Sequence, residues 1–295
     1  MFKEAQNIKI KEHIKQEKSY KRLELAVKKQ AMLETNQKDT TKTVIPKFKI
    51  VLAEPSYLKD SINILKGLLS EARIVITKDK MEIIAMDPAN VTIVVWRLLS
   101  SVGIEWKVNK QFSFGINLPN LDIILKNCKA NDLIEITNNQ LEPDKLSIWF
   151  RGNSIREYSI ETIQLTEKEH KIPDLKFDAS IKMPSSVIDG QIQEANNMAE
   201  SVTFEVTKEG FSLKAESDIN KLRIQNKEGE NVTIKANKEF KTKYSIEYLL
   251  SFIKSKKLCD EVTLEFSKDY PLKMSYKLLD KLSFEWILAP RVESD

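Results

Sequence analysis

"LAEPSYLKDSINILKGLLSEARIVITKDKMEIIAMD" (Leu52–Asp87) and "KMPSSVIDGQIQEANNMAESVTFEVTKEGFSLKAES" (Lys182–Ser217) follow one plan, with their prolines 129 residues apart. Each leaves a short extended run through a proline, Pro55 or Pro184, and enters a stretch with helical patterning. Each then reaches a β-branched run, a charged turn (Thr77–Lys80 or Thr207–Gly210) and another extended run. Proline suits a first helical turn, where its missing N–H is not needed. Phe112 and Phe240, an offset of 128, carry the correspondence into later segments. A period sustained over more than 100 residues predicts a tandem duplication rather than two chance similarities.

Each half predicts a leading strand (Phe48–Ala53; Phe177–Met183), a first helix, several short strands, a second helix and closing strands. The strands alternate Val, Ile, Phe and Thr with polar residues, as antiparallel sheets with one buried face do. Leu58, Ile62, Leu65 and Leu69 recur at helical spacing and mark the sheet-facing stripe of the first helix. Leu121, Ile124, Leu125 and Cys128 do so in the second, and Tyr248, Leu249, Phe252 and Ile253 in the fourth. The fold class predicted is α+β, in two tandem domains. Residues 1–46 form a basic, partly helical or flexible extension, 47–161 the first domain, 162–173 a connector and 174–295 the second domain.

The 295 residues carry a net charge of +4, unevenly spread. Residues 1–46 hold eleven basic and six acidic side chains, while the body holds 36 and 37. The body is therefore not uniformly basic, and an anionic partner has to meet lysines gathered on one surface. The extension reads as such a basic arm, the alternatives being a leader without function or a start site assigned too early. Apolar runs such as "VTIVVW" are too short to cross a bilayer, and no signal-peptide pattern opens the chain. Cys128 and Cys259 read as free buried thiols. The two histidines, His13 and His170, have no evident nucleophile partner, and seven glycines form no phosphate loop. No metal-ligand spacing appears, so no cofactor is expected and the chain does not read as an enzyme. A DNA-processing enzyme with dispersed carboxylates is the remote alternative.

"AMDPANVTIVVW" (Ala85–Trp96) and "WILAPRVESD" (Trp286–Asp295) resemble signature segments of the sliding clamps of archaea and eukaryotes, the proliferating cell nuclear antigen family. "PKFKIVLAEP" resembles their usual N-terminus, with Lys47 where an initiator Met would stand. The resemblance runs from about Lys47 to Asp295. It implies a DNA-clamp fold: a trimeric ring of six similar units, antiparallel sheets outside and helices lining a central channel. Tyr158 resembles a subunit-interface position, with the strand near "KLRIQN" (Lys221–Asn226) as its partner in the next subunit. An ordinary half-buried sheet tyrosine is the other reading.

The same resemblance implies contacts with double-stranded DNA from Lys59, Lys66, Lys126 and Lys254, with Lys129, Lys256 and Lys257 adding charge nearby. Phosphate contacts of this kind ignore sequence, as sliding requires; for any one lysine a solvated helix face is the alternative. It further implies a groove for PIP-box peptides of DNA polymerase, clamp loader, flap endonuclease and DNA ligase. The matching positions are Met86, Asn90, Val91, Ile93, Ile172, Pro271, Ile287, Leu288, Ala289 and Pro290. Val91 and Ile93 also read as plain strand core. Departures are visible: Ile287 and His170 stand where an aromatic and a leucine are common, and the third helix has no Lys or Arg. Gly190, Gln193, Asn197 and Asp60 occupy positions that are often basic. A weaker channel, or a subunit of a mixed or checkpoint-type ring, would fit them. The resemblance places the protein in the cytoplasm beside the nucleoid if archaeal, and in the nucleus if eukaryotic.

Overall fold

A computed structural model describes residues 46–138, 142, 144–165 and 170–291. The extension, save Pro46, lies outside the described residues, as do residues 166–169 of the connector and the last four residues.

The described chain runs through one set of elements twice. The first pass is β1 (Phe48–Leu52), α1 (Ser56–Leu65), β2 (Glu71–Ile76), β3 (Lys80–Met86), β4 (Thr92–Leu99), β5 (Gly103–Val108), β6 (Phe112–Asn117), α2 (Leu118–Lys126), β7 (Leu133–Asn138), β8 (Lys145–Arg151) and β9 (Ile155–Glu161). The second is β10 (Ala179–Pro184), α3 (Ser185–Asn196), β11 (Ser201–Thr207), β12 (Gly210–Glu216), β13 (Lys221–Asn226), β14 (Thr233–Ala236), β15 (Phe240–Ser245), α4 (Ile246–Phe252), β16 (Glu261–Phe266), β17 (Leu272–Leu278) and β18 (Leu282–Leu288). Element for element, β1 to β9 correspond to β10 to β18, and α1 and α2 to α3 and α4.

The sheets repeat the correspondence. β5-β1-β7-β8-β9 has its counterpart in β14-β10-β16-β17-β18, and β6-β2-β3-β4 in β15-β11-β12-β13. One pairing breaks the symmetry. β18 runs antiparallel to β4, matching Trp286 with Val94 and Phe284 with Trp96, and so fuses two sheets into one of nine strands. The equivalent strands β9 and β13 remain at sheet edges.

Across the fused sheet, alternate residues separate by face. Trp96, Phe284 and Tyr276 are cross-strand neighbours and fully buried. Trp286 stacks on Phe252 of α4 at 4.8 Å and on Phe284 at 5.7 Å, and its indole N–H donates to Ser255 Oγ at 3.1 Å. The helical stripes meet this layer: Leu58, Ile62 and Leu65 of α1 and Ile188, Ile192 and Ala195 of α3 are buried.

The structure trims several sequence expectations. Each proline stands at the N-cap, immediately before the first helical turn rather than within it. The second leading strand starts at Ala179 rather than Phe177, because the Asp178 N–H bonds the Ser267 hydroxyl instead of a strand partner. α1 stops at Leu65, so Leu69 packs from the following turn, and α2 stops at Lys126. α4 ends at Phe252 and tightens into a 3-10 turn over Ile253–Lys257, which carries Lys254, Lys256 and Lys257.

Cys128 and Cys259 are buried free thiols. Burial pushes Cys128 up to about 11 and Cys259 to about 12. Both should resist a thiol reagent at pH 8 in the folded protein and react once denatured, since only the thiolate is nucleophilic. Trp286→Ala should cost about 3–5 kcal/mol in a denaturant titration, through lost transfer energy and a residual cavity.

Candidate nucleic-acid and peptide interfaces

The loop between β3 and β4 is built around one carboxylate. Asp87 is buried and accepts from the N–H groups of Ala89 at 3.1 Å, Val91 at 2.8 Å and Thr92 at 2.7 Å. Asn90 takes the left-handed φ of 57° that this tight turn needs. Tyr248 Oη, from α4 of the other half, donates to Asp87 Oδ2 at 3.1 Å. Burial, followed by this bond, raises the Tyr248 phenol above its ordinary value. The loop is thereby locked across the junction, and Thr92 Oγ1 ties it to the Ile287 carbonyl at 2.8 Å.

From there a partly apolar row crosses the outer sheet face: Met86 is paired with Ile93, and Ile93 with Ile287. Beside it runs a polar network in which Arg97 meets Glu82 at 2.6 Å and Glu285 at 3.1 Å. The connector covers β2 and β6. Ile163 makes a two-way backbone bridge with Gly115, and Arg73 donates to the Leu165 carbonyl at 3.0 Å. A Cβ at Gly115 would lie 2.5 Å from the Ile163 carbonyl oxygen, so glycine is what allows the connector to settle.

Met86, Asn90 and His170 line one cavity of about 700 Å³, between the connector and β2–β3. Val91, Ala289 and Pro290 line another of about 930 Å³, beside α4. The Ala289 N–H donates to the Val91 carbonyl at 3.0 Å, so the two signature segments predicted to meet do meet. Ile172 is exposed and lines neither cavity, as is true of half-buried Pro271. Leu288 is corrected: strand alternation turns its side chain inward, where it is fully buried and belongs to the core. Ile287, one residue earlier, faces outward but is only 5% exposed.

The predicted basic residues gather at the helix ends in acidic company, of which the sequence pattern marks Asp60 but not Asp122 or Asp189. Asp122 of α2, 1% exposed, pairs with Lys66 and, at 3.0 Å, with Lys126, and accepts from Asn63 Nδ2 at 3.0 Å. Burial pushes its carboxyl up, but the hydrogen bonds from Lys66, Asn63 and Lys126 prevail and hold it below its ordinary value. The bond to Asp122 likewise raises the Lys126 ammonium. Lys59 donates to the carbonyls of Lys126 at 3.3 Å and Cys128 at 3.1 Å, where the α2 dipole favours a cation. Lys257 pairs with Asp60 of the other half at 2.8 Å, and Lys256 with Asp189. Among the described residues, Lys129 and Lys254 have no carboxylate within ion-pair distance. The i,i+4 spacing of Asp122 and Lys126 was visible in sequence; its reach to Lys66 was not, because that contact joins two helices.

Tyr158 lies on the edge strand β9, half-buried against Phe150 at a ring separation of 5.1 Å.

The profile of the proliferating cell nuclear antigen N-terminal domain matches residues 47–171, and that of the C-terminal domain matches 171–291. The chain belongs to the proliferating cell nuclear antigen family. It is 30% identical over 248 residues to the DNA polymerase sliding clamp of Thermococcus gammatolerans, covering 83% of this chain and 99% of that one. It is 29% identical over 247 residues to the DNA polymerase sliding clamp of Nanoarchaeum equitans, covering 82% and 99%. Among solved structures, the proliferating cellular nuclear antigen of Entamoeba histolytica superposes with a TM-score of 0.78 at 21% identity, over 84% of this chain and all of that one. The fold is thus the DNA-clamp fold, in two tandem family domains. Among the described residues no helix is long and apolar enough to cross a membrane.

Asp122→Asn should flatten the acid limb of stability. A carboxyl with a depressed folded pKa stabilises above its unfolded value, about 4, and loses that contribution as pH falls through the folded value. Melting temperatures of both proteins between pH 7 and pH 2 check the difference. Gly115→Ala should break the backbone bridge to Ile163 and displace the connector, read as faster hydrogen exchange at the Ile163 amide.

Proposed function

We propose that this protein is a non-enzymatic processivity clamp that encircles duplex DNA and tethers DNA polymerase and other replication factors. Membership of the family supports this reading, as do relatives named DNA polymerase sliding clamp that align over 99% of their own length. The observation that carries it is the pair of open edges. Within the chain β18 joins β4; the repeat makes β9 the equivalent of β18 and β13 the equivalent of β4. Joining β9 of one copy to β13 of the next repeats the internal junction. Each copy then contributes one internal and one external junction of the same kind, which is how a head-to-tail ring closes.

The internal register also aligns the external one. Tyr158 corresponds to Trp286 and Leu222 to Val94, so the tyrosine meets Leu222 of the neighbouring copy on the core side. Glu157 corresponds to Glu285 and Arg223 to Val95, which sets an exposed carboxylate opposite an exposed guanidinium. One copy supplies both halves of the contact, which favours a homotrimer over a ring of paralogous subunits.

In the ring the helices face inward. Lys59, Lys66, Lys126, Lys129, Lys254 and Lys257 then form the DNA-facing set, with Asp60 and Asp122 moderating it. The grip is loose, through phosphates alone, and threading replaces tight binding. The outer row Met86, Ile93 and Ile287, with Asn90, Val91, Ala289 and Pro290, receives the PIP-box peptides, and Ile172 and Pro271 form its outer margin. The domains run 47–161 and 174–295 about the connector 162–173. The archaeal source of the relatives supports a cytoplasmic, nucleoid-associated location.

Sedimentation of the purified chain should give three subunit masses. Glu157→Arg or Arg223→Glu alone should weaken the ring by about 1 kcal/mol per junction, and the double variant should recover it. A monomer at all concentrations would reject the closed ring. Replacing Lys59, Lys66, Lys126 and Lys254 together by alanine should lower loading and processivity with the trimer intact; unchanged processivity would reject their electrostatic role.

A further inference from the structure

A cavity of about 680 Å³ opens at the seam between the two halves, on the helical side, separate from the peptide groove. α1 contributes Asn63 and Ile64; the start of α3 contributes Pro184, Ser185 and Ser186; the 3-10 turn contributes Lys254, Lys256 and Lys257. Asp260 is the one acidic residue in the lining.

Three features make this lining suited to an anion. The cap of α3 is Pro184, which has no side-chain acceptor, and no acidic residue occupies its first turn. The Ser185 N–H is used by the Asp260 carbonyl at 2.8 Å, which leaves the Ser186 and Val187 amides at an uncapped helix start. Ser185 itself is 1% exposed, and its hydroxyl has no hydrogen-bond partner among the described residues. Finally, the ammonium groups are available. Lys254 has no carboxylate within ion-pair distance among the described residues, and its Nζ lies 3.7 Å from where a Gly67 Cβ would stand, across the seam. Lys256 and Lys257 are held by Asp189 and Asp60, but their side chains remain 43% and 62% exposed. Pairs that open to water contribute little and exchange readily for a better anion.

We propose that this seam cavity binds a single phosphate group, held by the amides at the start of α3 and by Lys254 and Lys256. Helix-start amides converging with ammonium groups match the oxygens of phosphate, and the helix dipole adds to their field. Lys257, released from Asp60, completes the site. The phosphate comes from a nucleic-acid backbone or is free in solution. The first source rests on the clamp reading, because only in the ring does the seam face a threaded duplex. In that case the seam is a fixed docking point on a channel wall that is otherwise moderated by carboxylates, and it reaches both domains at once.

The test follows the Ser186 and Val187 amides of the full-length, isotope-labelled protein by NMR, during separate titrations with inorganic phosphate and with a short duplex. Saturable shifts with phosphate, lost in Lys254→Ala/Lys256→Ala and kept in Lys254→Arg/Lys256→Arg, are expected. Shifts with the duplex as well assign the nucleic-acid source; shifts with phosphate alone assign the free ion. For the duplex, each lysine removed should lower the slope of log affinity against log salt by about one. No saturable shift in the wild-type protein, or an equal shift in the alanine variant, overturns the site. The phosphate arm needs no ring, so a chain that failed to thread DNA would still report on the cavity.

Discussion

The ladder between β4 and β18 is the constraint on which the rest depends. Backbone groups at a sheet edge have to be paired, covered or left to water, and an uncovered edge is a template for another chain. Here the second half finishes the first half's sheet, seating Trp286 opposite Val94 and Phe284 opposite Trp96. The junction also sets the angle between the halves. It brings Tyr248 to Asp87, Lys257 to Asp60 and Ala289 to Val91, contacts that span up to 198 residues of chain. A duplicated chain with one such junction carries the same unmet need at its two ends, in β9 and β13. In the proposed ring, assembly reuses pairing that the fold already contains.

The charge on the helical side follows a second logic. Several of the cations there share carboxylates. Asp122 is buried at the α1–α2 contact and shared by Lys66 and Lys126. Its carboxylate orients two ammonium groups while cancelling part of their field. α3 adds no cation of its own, and Gly190 near its middle meets nothing within 4 Å of a virtual Cβ. Positive charge is therefore concentrated at the ends of α1, α2 and α4 and at the seam, rather than spread along the wall.

Much of this was legible in the sequence because duplication writes each instruction twice. The helical stripes, the alternating strands and the paired prolines each had a partner at a nearly constant offset, and the structure keeps that order. What the pattern blurred were boundaries. The Leu58–Leu69 stripe continues past the end of α1, because Leu69 packs from a turn. Leu288 lies in a signature segment that otherwise lines the groove, yet period-two alternation turns its side chain toward the core.

The sequence by itself determined the duplicated α+β plan, the family and the pool of lysines, since periodicity and motif spacing are properties of neighbours along the chain. Only the tertiary structure decided which edges pair, which lysines share Asp122 and where the seam cavity opens. Those contacts join residues far apart in sequence, and their energies depend on distance and burial that no local pattern encodes.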